Sequence, residues 1–201
     1  HPFKNHPFKV LDDEKMQETM ESIREHGVLM PGIARPMKDG GYEIIAGHRR
    51  RHACEFVGLT TMPMFIRDYT DDEATIIMVD SNIQREDILP SEKAKAYFMK
   101  YEAVKHQGKK GKGNSLDEVG ETAGESAKTV QRYIYLARLS DALLDMVDKK
   151  KIGIVQGVEL SFLTEQQQEW VQVVLEETGV IISTAQASKL KEHGKSDELT
   201  L

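Results

Sequence analysis

Apart from the HPFK repeat at its start, every strand-like run in this chain falls between residues 30 and 69, and everything after that has a helical period. "MPGIARPM", "YEIIAG" and "TTMPMFIRDY" are short apolar runs punctuated by Pro and Gly, with "GGY" as the turn between the first two. Helical stretches separate them. "DDEKMQETMESIREHG" has Asp12 as its expected cap, Met16, Met20 and Ile23 on one face, and Gly27 at its end. A short helix carries Arg49 to Phe56. "TDDEATIIMVDSNIQRED" opens with the capping box Thr70 and Glu73 and runs through Ala74, Ile77 and Met78. Strands alternating with helices, followed by helices alone, predict an α/β module and then an all-helical one.

The expected boundaries are residues 1–88 for the first domain, 89–195 for the helical domain and 196–201 for a disordered tail, with charged residues from His193 leading into it. "SEKAKAYFMKYEAVKHQ", with Ala94, Phe98 and Tyr101 on one stripe, reads as the bridging helix. "GKKGKGN" follows as an exposed loop. Thr164 with Gln167 is a further cap, Trp170, Val174 and Leu175 are expected in the core, and Gly179 is the stop. At the start, "HPFKNHPFKVL" repeats HPFK at a spacing of five, which reads as a short edge strand with chance repetition, or as a binding arm.

Composition narrows the class. The chain has 201 residues, 39% hydrophobic and 30% charged, which describes a globular, helix-rich protein. No apolar run approaches the ~20 residues of a membrane span. The single Cys54 cannot form an internal disulfide, and with no signal peptide the expected setting is the reducing cytoplasm. The first residue is His rather than Met, so the chain is expected to be a segment with flanking parts elsewhere. Net charge is −6, and from Leu139 onward eleven acidic and six basic side chains account for most of it. That balance weighs against nucleic-acid binding by the chain as a whole and leaves local patches open.

One patch centres on Gly124. "LDEVGETAGESAKTVQRYIYL" has helix-turn-helix spacing, with Gly120 where two helices touch and Gly124 where the turn needs positive φ. Val119, Ala123, Val130 and Tyr133 would pack the pair together, and Ser126 would cap the second helix. That cap points Ala127, Lys128, Gln131 and Arg132 outward near the end that enters a major groove in this motif. Lys128 and Arg132 suit phosphate or guanine, and Gln131 suits adenine. The expected DNA-contacting set is Ser126, Lys128, Thr129, Gln131 and Arg132, supported by positive charge from Lys109 to Lys112. A plain helical hairpin with a solvated polar face is the alternative.

The other patch is "IIAGHRRRHA". A strand ends at Gly47 and a helix begins, so unpaired N–H groups and a partial positive charge face whatever approaches. Arg49, Arg50 and Arg51 add guanidinium forks that match phosphate geometry. A solvated basic face or a nonspecific DNA patch is the alternative. His48 and His52 have a metal-compatible spacing, but no further ligand motif completes that site. Cys54 reads as a buried helix residue.

"SIREHGVLMPGIARP", "YEIIAGHRRRHA" and "DSNIQREDILPSEKA", followed by the helix-turn-helix, together resemble the ParB family of chromosome and plasmid partition proteins, with its relative Noc. The likeness covers roughly residues 1–160 in family order. It implies a ParB/sulfiredoxin-like α/β domain that binds CTP with magnesium, and an all-α helix-turn-helix domain that recognises a palindromic DNA site as a homodimer. It further implies a clamp that closes on nucleotide binding, a nucleoid- or plasmid-associated location, and a ParA-type ATPase as a candidate partner. By position, Gly47, His48, Arg49, Arg50, Asn82 and Arg85 would form the nucleotide and phosphate site, with Asn82 also on the magnesium side. The family pattern GERRxR has His48 in place of Glu and His52 in place of the last Arg, and Ser81 stands where a Glu is usual. Loss of that carboxylate bears on CTP hydrolysis more than on binding, since hard cations prefer anionic oxygen. A nucleotide hydrolase or phosphotransferase on the same fold, or a DNA binder independent of CTP, are the rival readings.

Overall fold

A computed structural model describes residues 1–107 and 115–196 of the chain. Its elements are α1 (Glu14–His26), β1 (Gly32–Pro36), β2 (Tyr42–Ala46), α2 (His48–Val57), β3 (Met64–Ile66) and α3 (Asp71–Asp80). There follow α4 (Pro90–His106), α5 (Ser115–Glu121), α6 (Ala127–Leu136), α7 (Asp141–Asp148), α8 (Ile154–Leu160), α9 (Glu165–Thr178) and α10 (Thr184–Lys195). The architecture is the expected one: a small mixed sheet with helices, then helices alone.

The sheet has the order β2-β1-β3, with β1 antiparallel to β2 and parallel to β3. A bulge between Ile33 and Ala34 interrupts the β1–β2 ladder. Helices α1 and α2 share a small core of Met16, Ile23, Ala53 and Cys54. The Thr70–Glu73 and Thr164–Gln167 capping boxes both form, because each hydroxyl and each N3 side chain satisfies a helix N–H that has no partner in its own helix.

Helix α4 is the axis of the molecule, with Pro90 at its first position, where the missing N–H costs nothing. Ala96, Tyr97 and Val104 pack with Ile45 of β2, with Ala74, Met78 and Val79 of α3, and with Val119, Val130 and Ile134 of α5 and α6. This core is continuous across residue 88. Ala94, on the other side of α4, joins a second cluster with Leu136, Leu143, Leu144, Leu160 and Ala187. The helix is therefore contacted on more than one face, and the single stripe expected for it does not hold: Ala94 is buried but Phe98 is 43% exposed.

Polar contacts cross between the halves as well. Lys100 is buried, and its ammonium donates to Asp80 (2.6 Å), to the Val119 carbonyl (3.2 Å) and to the Thr122 hydroxyl (3.3 Å). Gln84 Nε2 donates to the Thr122 carbonyl at 2.8 Å. The Ser91 N–H and hydroxyl both donate to the Asp148 carboxylate.

Several local expectations are corrected. The cap of α1 is Asp13, which accepts from the Met16 N–H at 2.8 Å, while Asp12 pairs with His52. The HPFK repeat forms no strand: Pro2 and Pro7 lack N–H groups and Asn5 turns the chain at φ 57. The repeat instead buries Phe3 and Phe8 in the main core, and His1 brackets the edge of β2 through Tyr42 and Ile44. Val174 is exposed rather than in the core; with Trp170, Val171, Leu175, Ile182 and Leu190 it lines an apolar groove of about 600 Å³ between α9 and α10. His193 lies within α10. The Lys109–Lys112 loop and residues 197–201 of the expected tail lie outside the described residues.

The helix-turn-helix glycines differ in what they tolerate. A Cβ on Gly120 would sit 2.3 Å from the Glu125 carbonyl oxygen and 3.0 Å from Val130, whereas Gly124 (φ +66) faces open space. Gly120→Ala is therefore expected to cost about 1–3 kcal/mol through overpacking against backbone. Gly124→Ala should cost about 1 kcal/mol, from the conformational penalty alone. Urea unfolding of the two variants side by side checks the order.

Candidate functional site

Gly47 is the N-cap of α2 with φ +112, a conformation that side chains rarely adopt, and a Cβ there would lie 3.1 Å from Gly32 Cα. Close approach of β1 thus adds a second reason for glycine at this turn. No side chain caps α2 and its first turn holds no acidic residue. Its leading N–H groups, having no partner in the helix, meet no internal anion at the cap.

This turn opens into a cleft of about 190 Å³. The cleft gathers Gly47, His48, Arg49 and Arg50 from the turn and Ser81, Asn82 and Arg85 from the end of α3, so all six residues of the expected nucleotide set line one space. His6, Phe8 and Lys9 complete it from the N-terminal segment, and sequence reasoning did not assign them. The HPFK repeat was their only signal. Arg51, in contrast, belongs to a different surface: it pairs with Glu55 at 2.9 Å and lines the depression over Ala34, Ile44 and Ile66. Successive helical residues point about 100° apart, so three consecutive arginines cannot all face one cleft.

Two of the cations in the cleft, Arg49 and Arg50, are held rather than loose. Arg49 pairs with Asp13 at 3.0 Å, and that contact keeps the Asp13 carboxyl below its ordinary range. Arg50 donates to the carbonyls of Met30 and, at 2.8 Å, Pro31, and its burial lowers its pKa. Asn82 Nδ2 donates to the Met78 carbonyl at 2.8 Å, which fixes the amide and leaves Oδ1 as the free acceptor among the described residues. Among the described residues the walls carry no carboxylate. Asn82 and Ser81 are thus neutral oxygen donors among cations, which is not a magnesium site in its own right; a hard cation there would need anionic oxygens from a phosphate ligand.

Two imidazoles form one wall. His48 Nε2 accepts from the Phe3 N–H at 3.3 Å, and its ring lies 4.2 Å from that of His6. His6 Nδ1 donates to the Phe8 carbonyl at 2.8 Å, leaving its buried Nε2 without a partner. His52 points elsewhere, to Asp12 at 2.7 Å, so the two histidines of the turn are engaged in separate contacts. Cys54 is buried, which raises its thiol pKa.

The helix-turn-helix packs on α4 through Val119, Val130 and Ile134. Ser126 caps α6, accepting from the Thr129 N–H at 3.3 Å, and the two hydroxyls lie 3.0 Å apart. Ser126 and Thr129 are therefore occupied with each other. Lys128, Gln131 and Arg132 are exposed on the outer face. Glu125, the residue before the Ser126 cap, is turned inward to Lys93, whose ammonium also lies over the rings of Tyr97 and Tyr133.

Burial, reinforced by His6, Arg51 and the chain's amino terminus, pushes the His48 imidazole down to about 4. In the unfolded chain it titrates near ~6.5. Its neutral form therefore contributes stability that is complete above that value and is lost as pH falls toward about 4. The unfolding midpoint should drop between about pH 7.5 and about pH 5, and His48→Gln, which can still accept from Phe3, should flatten part of that drop. An identical pH profile in the variant would assign the dependence to other groups.

Residues 1–83 match the ParB N-terminal domain family. Over 189 residues the chain is 33% identical to a probable chromosome 1-partitioning protein ParB of Deinococcus radiodurans, covering 94% of this chain and 62% of that protein. It is 32% identical over 186 residues to the chromosome-partitioning protein Spo0J of Thermus thermophilus, covering 92% of this chain and 65% of that one. The chain thus spans less than two thirds of each of these relatives. Among solved structures, a C-terminally truncated ParB from Caulobacter crescentus, complexed to the centromeric parS site, superposes with a TM-score of 0.53 at 21% identity. That match covers 96% of this chain and 94% of the other, and the two share a fold.

Proposed function

We propose that this chain, which belongs to the ParB family of chromosome and plasmid partition proteins, is a sequence-specific binder of duplex DNA whose grip is gated by a nucleotide. The observation that carries the reading is a group of exposed cations beside Gln131 on the outer face of the capped helix α6. Lys93, Lys95, Lys100 and Lys105 are each tied to a carboxylate, whereas Lys128 and Arg132 on the outer face of α6 are tied to none among the described residues. In a chain of net charge −6, exposed cations beside Gln131 on a capped helix of a helix-turn-helix have the character of a DNA-reading surface. The relatives' roles in chromosome partitioning, and the parS complex of the Caulobacter protein, support the same reading.

The cleft at Gly47 is the proposed nucleotide site, with CTP as its ligand by family resemblance. Gly47 N–H and its neighbours, Arg49, Arg50 and Arg85 would hold phosphates, and magnesium would arrive with them. At about 190 Å³ the cleft is smaller than the ~300 Å³ at which small-molecule pockets usually begin. It suits a phosphate chain, and seating the nucleoside requires the mouth to widen. Because the walls offer cations rather than carboxylates, binding is what they supply, and a metal ion serving hydrolysis would find no anionic protein oxygen among the described lining residues. Residues 1–88 would serve as the nucleotide-gated unit and 89–195 as the DNA-reading unit. A homodimer on a palindromic site, a ParA-type ATPase partner and a cytoplasmic, nucleoid-associated location complete the proposal. Among the described residues no helix is long and apolar enough to cross a membrane.

Thermal shift with each of the four nucleoside triphosphates and magnesium tests the cleft. CTP should raise the midpoint by an amount equivalent to about 2.7 kcal/mol at a hundredfold excess over Kd, and Arg50→Ala should abolish the shift. Equal shifts with all four would remove the CTP assignment, and an unchanged shift in the variant would remove this cleft as the nucleotide site. For DNA, selection of duplexes from a random library followed by anisotropy measures preference. The Lys128→Ala, Arg132→Ala double variant should lose about 1–3 kcal/mol of discrimination for each base contact removed. Unchanged preference would disqualify α6 as the reading helix.

A further inference from the structure

The cationic face of α6 continues past Arg132. Residues three, four and seven apart share a helix face, so Tyr135 lies in line with Lys128, Gln131 and Arg132, and Arg138 follows just beyond the helix end. Tyr135 is half-buried and Arg138 is exposed. The Tyr135 ring rests on Phe162, two residues past the end of α8, with centroids 5.1 Å apart. The Arg138 guanidinium lies over the Tyr135 ring at 4.8 Å. A stacked guanidinium is fixed in plane while its N–H edge stays available to an oxyanion. Gln131 Nε2 donates to the Tyr135 hydroxyl at 3.4 Å, which uses a lone pair and leaves the hydroxyl proton to be donated outward.

We infer that Tyr135 and Arg138, seated on Phe162, form a second contact with duplex DNA, directed at the phosphate backbone beside the bases that the start of α6 reads. The inference rests on the DNA-binding reading given above. Two observations select this occupant. The first is continuity, since the patch extends the face that carries Lys128, Gln131 and Arg132. The second is charge: Arg138 is paired with no carboxylate among the described residues, whereas the neighbouring Lys191, over Phe162 at 4.1 Å, is neutralised by Glu159 at 3.0 Å. Scale agrees. Seven residues from Lys128 to Tyr135 advance about 10 Å along the axis. A major groove is about 12 Å wide, so a helix that enters with its N-terminal end brings its last turn to the phosphate rim. Phosphate contacts of this type position a protein on DNA without reading sequence, so they add affinity uniformly.

The test uses the 201-residue chain, a fluorescent random-sequence duplex and a duplex enriched from a random library by the unsubstituted chain, titrated across salt. Arg138→Gln should weaken binding to both duplexes by the same factor, about tenfold near 0.1 M salt, and reduce the slope of log affinity against log salt by about 1. Tyr135→Phe, which keeps the ring stack and removes only the hydroxyl, should give a smaller uniform loss of a few-fold. Lys191→Gln should give none. Arg138→Gln with unchanged affinity and salt slope, while the Lys128→Ala, Arg132→Ala variant binds more weakly, overturns the second contact and leaves the DNA reading intact. A loss confined to the enriched duplex also overturns it, since that is base reading. No binding of either duplex by the unsubstituted chain rejects the DNA reading itself.

Discussion

A single buried ammonium group holds the two halves of this molecule in register. An unpaired charge inside a protein is severely unfavourable, so Lys100 must keep acceptors around it wherever it lies. Its acceptors come from three places: Asp80 at the end of α3, the Val119 carbonyl of α5, and Thr122 in the helix-turn-helix turn. Asp80 directly precedes Ser81 and Asn82 of the cleft, and Gln84 of the same segment donates to the Thr122 carbonyl. The position of the cleft floor is thereby tied to the position of the turn that presents α6. Neither unit can shift against the other without uncovering the Lys100 charge.

The remaining charges follow the same logic of satisfying what is buried and leaving exposed what is to be used. Lys93 draws Glu125 inward and off the outer face of the helix-turn-helix, with two tyrosine rings completing the cation's surroundings. That removal makes the outer face more positive than its sequence composition suggests. Beside the cleft, Asp13 pairs with Arg49 while capping α1 with the same oxygen. Under the proposed reading a phosphate would compete with this carboxylate for Arg49 and leave the Met16 N–H contact in place. The turn is thus linked to the helix that packs on α2 through one shared oxygen.

The helical turn geometry also limits what the arginine run can do. Arg49 and Arg50 line the cleft, Arg50 is pinned by two backbone carbonyls, and Arg51 turns away to Glu55. The cleft is thus lined by two arginines of the run, with Arg85 from the segment after α3 and His6 and Lys9 from the N-terminal segment. These cations and imidazoles are what the proposed phosphate site rests on.

Much of this was legible in one dimension because it depends on local rules. Apolar period, Pro and Gly punctuation and the spacing of hydroxyls to Glu or Gln located the three strands, the capping boxes at Thr70 and Thr164, the glycine turns at Gly47 and Gly124, and the close helix contact at Gly120. The six cleft residues were recognisable from the ordered motifs that carry the family resemblance. What the sequence could not supply was decided by contacts between segments far apart in the chain. The inward turn of Phe3 and Phe8, the exposure of Phe98, the meeting of His6 with His48, and the choice of Asp13 over Asp12 as cap all depend on which surfaces happen to face each other. Local spacing determined what each segment can become, because backbone hydrogen bonding acts over a few residues. Only the folded chain determined which faces are covered, because burial and charge pairing act across space and take no account of distance along the sequence.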